Sequence, residues 1–186
     1  PTASPVPTPS PTPTTPPVAA TTDGVWLLAS QAALATRHPF AVMIDDQAQA
    51  RPQSGLASAD IVWQAPAEGG IPRYMMVFQE TIPTDVGPVR SSRYYYIAWA
   101  AELRALYAHA GGSPQALATL RAKGNGQLVY NADEFRWGGS FRRTSRAAPH
   151  NLYTTGKQLR GIAKTVGAKD GPITFPWTFA RDAAWV

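Results

Sequence analysis

The sequence contains no cysteine, and its 186 residues include only three histidines. The absence of cysteine excludes disulfides, thiolate metal sites and thiol nucleophiles, but it leaves the cellular compartment open. No apolar run reaches the roughly 18 residues that indicate a membrane-spanning helix. The chain begins at Pro1 and stops at Val186 without a terminating pattern. We therefore expect a trimmed or mature form that lacks a C-terminal part.

Residues 1–22 also lack any charged side chain and consist mainly of Pro, Thr, Ser and Ala. Such a segment buries too little apolar surface to offset the entropy lost on ordering, so it predicts a disordered, partly polyproline-II stalk. In bacteria, spacers of this kind often separate a membrane anchor from an envelope domain. A featureless tail is the alternative interpretation.

The chain is basic, with a net charge of +5, and 13 of its 17 basic residues are arginine. Arginine presents a planar fork that suits carboxylate and phosphate groups, so this excess favours an anionic partner. Compositional bias from a GC-rich genome explains the same numbers equally well. No nucleic-acid-binding module matches the sequence, and we expect no nucleic-acid partner.

The hydrophobic pattern predicts one α/β domain over residues 23–180, with residues 181–186 beginning a linker or a truncated domain. It is expected to be a layered, mixed β-sheet with helices packed on it. Residues 131–140 are polar and interrupted by glycine, and they are interpreted as loop. The predicted strands are 40–44, 61–68, 73–80, 105–110 and 127–130, and the predicted helices are 94–103, 115–123 and 154–166.

Residues 85–93 lie where a predicted strand leads into a predicted helix. A helix N-terminus has unpaired N–H groups and a partial positive charge, so it can hold an anion. Arg90 and Arg93 are three residues apart, which predicts that both lie on one face of the first helical turn. Residues 109–113 predict a second strand-to-helix turn, in which Ser113 suits a helix N-cap.

Ten polar residues at predicted strand ends and turns form the candidate ligand-binding set. One interpretation is an anion clamp, that is, a site whose arginines bind an anion. The other is a structural network in which arginines and carboxylates connect loops to one another. Asp45–Asp46 could hold Mg²⁺ beside a phosphate, but this signal is weak, and we expect no metal and no cofactor. The ten are Asp46, Arg51, Glu68, Arg73, Arg90, Ser91, Arg93, His109, Ser113 and His150.

Seven sequence blocks together resemble the N-terminal domain of the YerB-like family of bacterial lipoproteins, whose function is unknown. The resemblance implies a layered α/β fold, export, a lipid anchor on an upstream cysteine, and a second, smaller domain. Compared with that pattern, we expect the anchor motif and most or all of the second domain to lie outside the present sequence. The blocks are Phe40–Asp45, Ala50–Leu56, Ala59–Val62, Glu68–Gly70, Gly87–Arg93, His109–Ser113 and Pro149–Tyr153.

A fainter similarity is to the LytR-CpsA-Psr phosphotransferases, which use arginines to hold a polyprenyl pyrophosphate. In that family an Asp follows the arginine that Arg90 would match, whereas this chain has Ser91, which argues against catalysis. We therefore expect an uncharacterised envelope protein, lipid-anchored upstream on the extracellular face of the cytoplasmic membrane. It would bind an anionic cell-wall polymer, a lipid-linked glycan or an envelope protein.

The alternative hypothesis is an enzyme that acts on cell-envelope substrates. It would be a phosphoryl or glycosyl transferase, or a hydrolase, with Asp46 or Glu68 as the general base. The arginines would then stabilise the charge that develops in the transition state. No residue is assigned a catalytic role with enough support to prefer this hypothesis.

Overall fold

The computed structural model describes residues 19–172 and Phe179. The predicted linker at 181–186 and most of the predicted stalk lie outside these residues. The last residues assigned to the stalk belong to the fold, since Ala19–Ala20 form a strand and Thr21 and Thr22 are buried. Within the described residues, no helix combines the length and the apolar character needed to cross a membrane.

The described residues contain nine strands, four α-helices and several short 3₁₀ helices, of which the longest is Ala29–Thr36. The strands are β1 (Ala19–Ala20), β2 (Trp26–Leu27), β3 (Phe40–Asp45), β4 (Ile61–Pro66), β5 (Pro72–Phe78), β6 (Leu106–His109), β7 (Tyr130–Asp133), β8 (Arg142–Arg143) and β9 (Leu152–Tyr153). The helices are α1 (Tyr94–Glu102), α2 (Pro114–Lys123), α3 (Glu134–Trp137) and α4 (Gly156–Val166).

Five strands form a mixed sheet in the order β4-β5-β3-β6-β7, which confirms the predicted fold class. The central strand β3 is fully buried, as expected for a continuous apolar run. β4 and β5 form an antiparallel hairpin, and β5 is also antiparallel to β3. β3, β6 and β7 are parallel to one another. Their carboxyl ends therefore share one edge of the sheet, where ligands bind in open α/β folds.

Helices cover both faces of this sheet because side chains alternate along each strand. Ala41 and Met43 of β3 belong to the core cluster that includes residues of α1 and α2. Val42 and Ile44 belong to a second cluster that includes α4. The sheet is thus the middle layer of three.

The structure contradicts the sequence analysis around residues 127–140. The predicted strand 127–130 is displaced toward the C-terminus, and the segment interpreted as loop contains β7 and α3. The cause is the polar composition of β7, whose Asn131 accepts a hydrogen bond from His109 at the end of β6 and whose Asp133 accepts one from the Gly111 N–H just after β6. These tertiary partners satisfy side chains that disfavour a strand when judged by local pattern alone.

Candidate functional site

Residues 86–93 cross the carboxyl edge of the sheet as an extended segment. The backbone N–H of Asp45 donates to Pro88 O at 2.9 Å, and that of Arg90 donates to Met43 O at 2.8 Å. These bonds attach the segment to the end of β3. The segment is therefore part of the rigid edge of the sheet, and its side chains are presented from a fixed backbone.

The prediction that Arg90 and Arg93 share the first turn of a helix is wrong. α1 begins at Tyr94, and Arg93 is its extended N-cap residue. Arg93 Nε donates to a Glu68 carboxylate oxygen at 2.6 Å, and Arg93 Nη2 donates to the other oxygen. Arg90 instead lies beside Asp45, with its Nε 2.7 Å from Asp45 Oδ2. The two guanidinium groups therefore contact different carboxylates.

Asp45 is the buried centre of this edge, with 2% of its surface exposed. Its Oδ2 lies 2.8 Å from His150 Nδ1, which donates to it, and also contacts Arg90 Nε in an ion pair that lacks hydrogen-bond alignment. Its Oδ1 accepts from the backbone N–H of Gln47 at 3.1 Å. One carboxylate thus orients both an imidazole and a guanidinium group.

The Nη1 and Nη2 groups of Arg90 donate to no protein acceptor within residues 19–172 and Phe179. They belong to a side chain that is 23% exposed and that lines a cleft of about 340 Å³. The cleft walls come from the crossing segment, α3, β8 and the turn before β9. Its polar and aromatic walls include Ser91, Glu134, Phe135, Arg143 and Asn151.

Further positive charge surrounds this cleft. Arg73 Nη1 donates to Ser91 O at 2.7 Å and to Ser91 Oγ at 2.6 Å. Burial lowers the pKa of Arg73, and the nearby Arg93 and Arg90 charges lower it further, but an arginine remains protonated at neutral pH. Arg143 is 60% exposed at the cleft and pairs with Glu134 at 3.2 Å. The cleft is consequently suited to a small anionic group.

Asp46 and Arg51 belong to a hydrogen-bonded network that needs no ligand. Asp46 is 1% exposed, and its Oδ1 accepts from Arg51 Nη2 at 2.9 Å and from Gln53 Nε2 at 3.1 Å. Its Oδ2 accepts from Gln64 Nε2 at 2.8 Å. Both carboxylate oxygens are therefore occupied, which matches the structural-network interpretation and leaves Asp46 no free position as a base.

Glu68 lies on the exposed side of the same edge, with 66% of its side chain accessible. Its hydrogen bonds with Arg93 lower the pKa of this carboxyl to about 2. A carboxylate with so low a pKa is a poor proton acceptor near neutral pH. The second candidate base of the sequence analysis is therefore also disfavoured.

His109 and Ser113 also have protein partners that account for them. The His109 ring is buried, with Nδ1 2.8 Å from Gly111 O and Nε2 2.8 Å from Asn131 Oδ1. Ser113 caps α2, since its Oγ accepts from the Ala116 N–H at 3.4 Å. Neither side chain lines the Arg90 cleft. A ligand-binding role for either residue stays a prediction that no contact here supports.

Sequence reasoning did not assign Asp45, Phe135, Arg143 or Asn151 to the site. Asp45 had been named with Asp46, but the sequence does not tell which of two adjacent acids faces the arginine. Arg143 was not connected with Arg90 because the two residues are far apart in the chain. Phe135 lies on α3, in the segment interpreted as loop, and is 81% exposed.

Residues 27–169 match the family model described as "Protein of unknown function (DUF3048) N-terminal domain". The chain belongs to this family. "Putative lipoprotein YerB" of Bacillus subtilis (strain 168) is 35% identical over 158 residues, which cover 84% of this chain and 47% of that protein. The crystal structure of YerB from Bacillus subtilis matches with a TM-score of 0.76 at 32% identity, covering 85% of this chain and 53% of that chain.

These comparisons confirm the YerB-like resemblance that the seven sequence blocks suggested. All the candidate residues, from Asp45 to His150, lie within the part that matches the DUF3048 model. The chain spans about half the length of the relatives it matches. The DUF3048 domain is described as one of unknown function, so a role for this edge of the sheet must be argued from its chemistry.

Proposed function

We propose that this DUF3048 domain binds an anionic group of a cell-envelope polymer in the Arg90 cleft. The ligand class is a phosphate- or carboxylate-bearing cell-wall polymer or lipid-linked glycan. One observation carries the proposal: Asp45 fixes the Nε side of the Arg90 guanidinium, while its Nη groups are left without a protein acceptor at the cleft. A guanidinium group held in this way is pre-organised to bind two oxygens of one anion.

The surrounding charges support an anion rather than a cation. Asp45 offsets the charge of Arg90, and Glu134 offsets that of Arg143. Among the described residues Arg73 forms no ion pair and its side chain donates only to Ser91, although the Asp45 and Glu68 carboxylates act on its charge from a distance. A bound phosphate or carboxylate would offset the remaining positive charge, and solvent would screen this attraction only in part.

A cell-envelope ligand fits what is known of the family and of the N-terminal segment. The name of the relative YerB describes it as a lipoprotein. The uncharged Pro/Thr-rich residues 1–22 are typical of the spacers that separate a lipid anchor from an envelope domain. We place the domain on the extracellular face of the cytoplasmic membrane, where wall polymers and lipid-linked glycans are within its reach.

Sedimentation of the purified chain with cell-wall sacculi tests this proposal. Wild-type protein is expected to cosediment with sacculi that retain phosphodiester-linked polymers and to be lost from sacculi stripped of them. Arg90→Ala should weaken binding by about tenfold or more, since a hydrogen bond to a charged group contributes roughly 1.5–3 kcal/mol. Arg90→Lys keeps the positive charge but loses the planar pair of guanidinium N–H donors, so this variant should also bind more weakly.

Arg121→Ala is the matched control, because it removes one exposed arginine from α2, away from the Arg90 cleft. It should retain most of the wild-type affinity, apart from a small electrostatic loss. Wild-type binding by both Arg90 variants would show that the cleft is not the binding site. Equal binding to intact and stripped sacculi would point to a carboxylate of the wall or to a partner protein.

One observation favours catalysis as a second candidate function. His150 Nδ1 donates to the buried Asp45, and its Nε2 has no hydrogen-bond partner among the described residues. A carboxylate that orients an imidazole in this way is found in many enzymes that use histidine as a general base. Turnover of a polyprenyl-phosphate or glycan substrate that His150→Gln abolishes, while the variant still binds sacculi, would favour a transferase or hydrolase.

A further inference from the structure

Three carboxylates converge at the edge of the sheet opposite to the Arg90 cleft. Asp23 lies in the turn between β1 and β2, Asp60 directly precedes β4, and Glu80 follows β5. Each offers a carboxylate oxygen, and these oxygens lie within 4.8 Å of one another. Residues from three separate parts of the chain therefore present negative charge to one small volume.

No basic side chain of the described residues forms an ion pair with these carboxylates. Every described ion pair involves other acids, such as Asp45, Asp85 and Asp170. Arg37 approaches the cluster, but its Nη1 donates to the backbone oxygen of Glu80 rather than to the carboxylate. No positively charged side chain of the described residues therefore offsets the mutual repulsion of the three carboxylates, which receive hydrogen bonds from neutral groups alone.

Two buried oxygens at this junction also lack a partner. Glu80 Oε1 has almost no accessible surface and accepts no hydrogen bond within the described part of the chain. The hydroxyl of Thr22, a residue that is 1% exposed, is likewise buried and unpartnered. Thr22 precedes Asp23 in the chain, and its backbone N–H donates to Gln79 Oε1 at 2.8 Å, beside Glu80. Burying polar oxygens in this way is costly unless something else contacts them.

Backbone contacts hold the central carboxylate in place. Asp60 Oδ2 accepts from the N–H groups of Gln79 and Glu80, the latter at 3.2 Å. Its Oδ1 has no hydrogen-bond partner in the described part of the chain. Asp23 is held by its own turn, where its Oδ1 accepts from the Val25 N–H at 3.2 Å. Each acid therefore keeps an oxygen for another partner.

We infer that Asp23, Asp60 and Glu80 bind a Ca²⁺ ion that joins the β1–β2 hairpin to the ends of β4 and β5. The donor set consists of oxygens alone, which suits a hard cation and disfavours Zn²⁺. Ca²⁺ accepts irregular oxygen geometry and completes its shell with water, whereas Mg²⁺ demands a near-ideal octahedron. The expectation of no metal rested on the absence of cysteine and on the weak signal of the Asp45–Asp46 pair, and neither bears on carboxylates that come from three separate parts of the chain.

Calorimetric titration of the chelator-treated chain with CaCl₂ tests this inference, with the melting temperature measured in Ca²⁺ and in EDTA. We expect one bound Ca²⁺ and a higher melting temperature when the ion is present. Asp60→Asn and Glu80→Gln should each weaken Ca²⁺ binding by about tenfold or more, because each removes a charged ligand. Asp23→Asn, at an exposed position, should do so without loss of folding.

Glu102→Gln is the matched control, because Glu102 is an exposed acid at the end of α1 that forms no described ion pair. Its Ca²⁺ affinity should equal that of the wild type. The inference is overturned if wild-type protein shows neither heat of binding nor a change in melting temperature. It is equally overturned if Asp23→Asn binds Ca²⁺ as the wild type does, or if Mg²⁺ binds more tightly than Ca²⁺.

Discussion

Replacing Asp45 by Asn is expected to lower the free energy of unfolding by about 3–5 kcal/mol, the range for breaking one partner out of a buried ion pair. Asp45 is 2% exposed and contacts both Arg90 Nε and His150 Nδ1. The amide keeps the shape of the carboxylate but not its charge, so Arg90 would be left without its counter-ion. Urea denaturation followed by circular dichroism measures the change.

Asp85→Asn is the matched control, because the same chemical change is made in an exposed ion pair with Arg142. Exposed pairs contribute about 0–1 kcal/mol, so this variant should unfold almost as the wild type does. A loss for Asp45→Asn no larger than that for Asp85→Asn would mean that Asp45 does not hold Arg90 and His150 in place.

Replacing Phe40 by Ala should also lower the free energy of unfolding by about 3–5 kcal/mol, as for other fully buried phenylalanines. Phe40 is completely buried at the start of the central strand, where it pairs with Phe78 on one side and with Leu106 on the other. The guanidinium group of Arg160, on α4, lies over its ring at 5.3 Å. The truncation would leave a cavity where the sheet and this helix meet.

Phe135→Ala provides the contrast, since this ring is 81% exposed at the rim of the Arg90 cleft. Its removal should change the free energy of unfolding by no more than about 0.5 kcal/mol, as is usual for surface positions. Thermal and urea denaturation of both variants gives the comparison. If Phe135→Ala lowers the free energy of unfolding nearly as much as Phe40→Ala does, the Phe135 ring is part of the core and is not free to contact a ligand.

The elements that were predicted well are those whose sequence carries both a hydrophobic pattern and a signal for one of their ends. β3 is a continuous apolar run that ends in two acids, and α2 begins with a serine cap followed by proline. α4 ends at Gly167, whose φ of 78° lies in the left-handed region that favours glycine. In each case the local preference and the final environment agree, so no knowledge of distant contacts was needed.

β7 and the extended conformation of residues 90–93 were not predicted, because contacts with distant parts of the chain decide them. β7 contains Asn131 and Asp133, whose partners are the last residue of β6 and a residue just after it. Arg90 was placed on a helix because two arginines preceded a helical pattern. Its backbone instead pairs with β3, and this keeps the segment extended up to Arg93. The neighbouring residues in the sequence do not indicate either of these contacts.

The sequence named polar residues that the structure brings to one end of the sheet, but it did not describe their contacts. Reasoning from strand ends could do this because parallel strands bring their carboxyl ends together. The same reasoning could not distinguish residues that protein partners occupy, such as Asp46, from Arg90, whose Nη groups have no acceptor among the described residues. That distinction depends on hydrogen bonds between residues far apart in the chain, which residue types alone do not specify.

The most direct test of the Arg90 cleft is a titration of isotopically labelled protein with inorganic phosphate and glycerol phosphate, followed by NMR chemical shifts. We expect the largest saturable changes at the Arg90 guanidinium and at the backbone amides of Ser91 and Asn151, which line the cleft. Changes centred on Arg51 or on the start of α2, with the Arg90 signals unmoved, would contradict the proposed function.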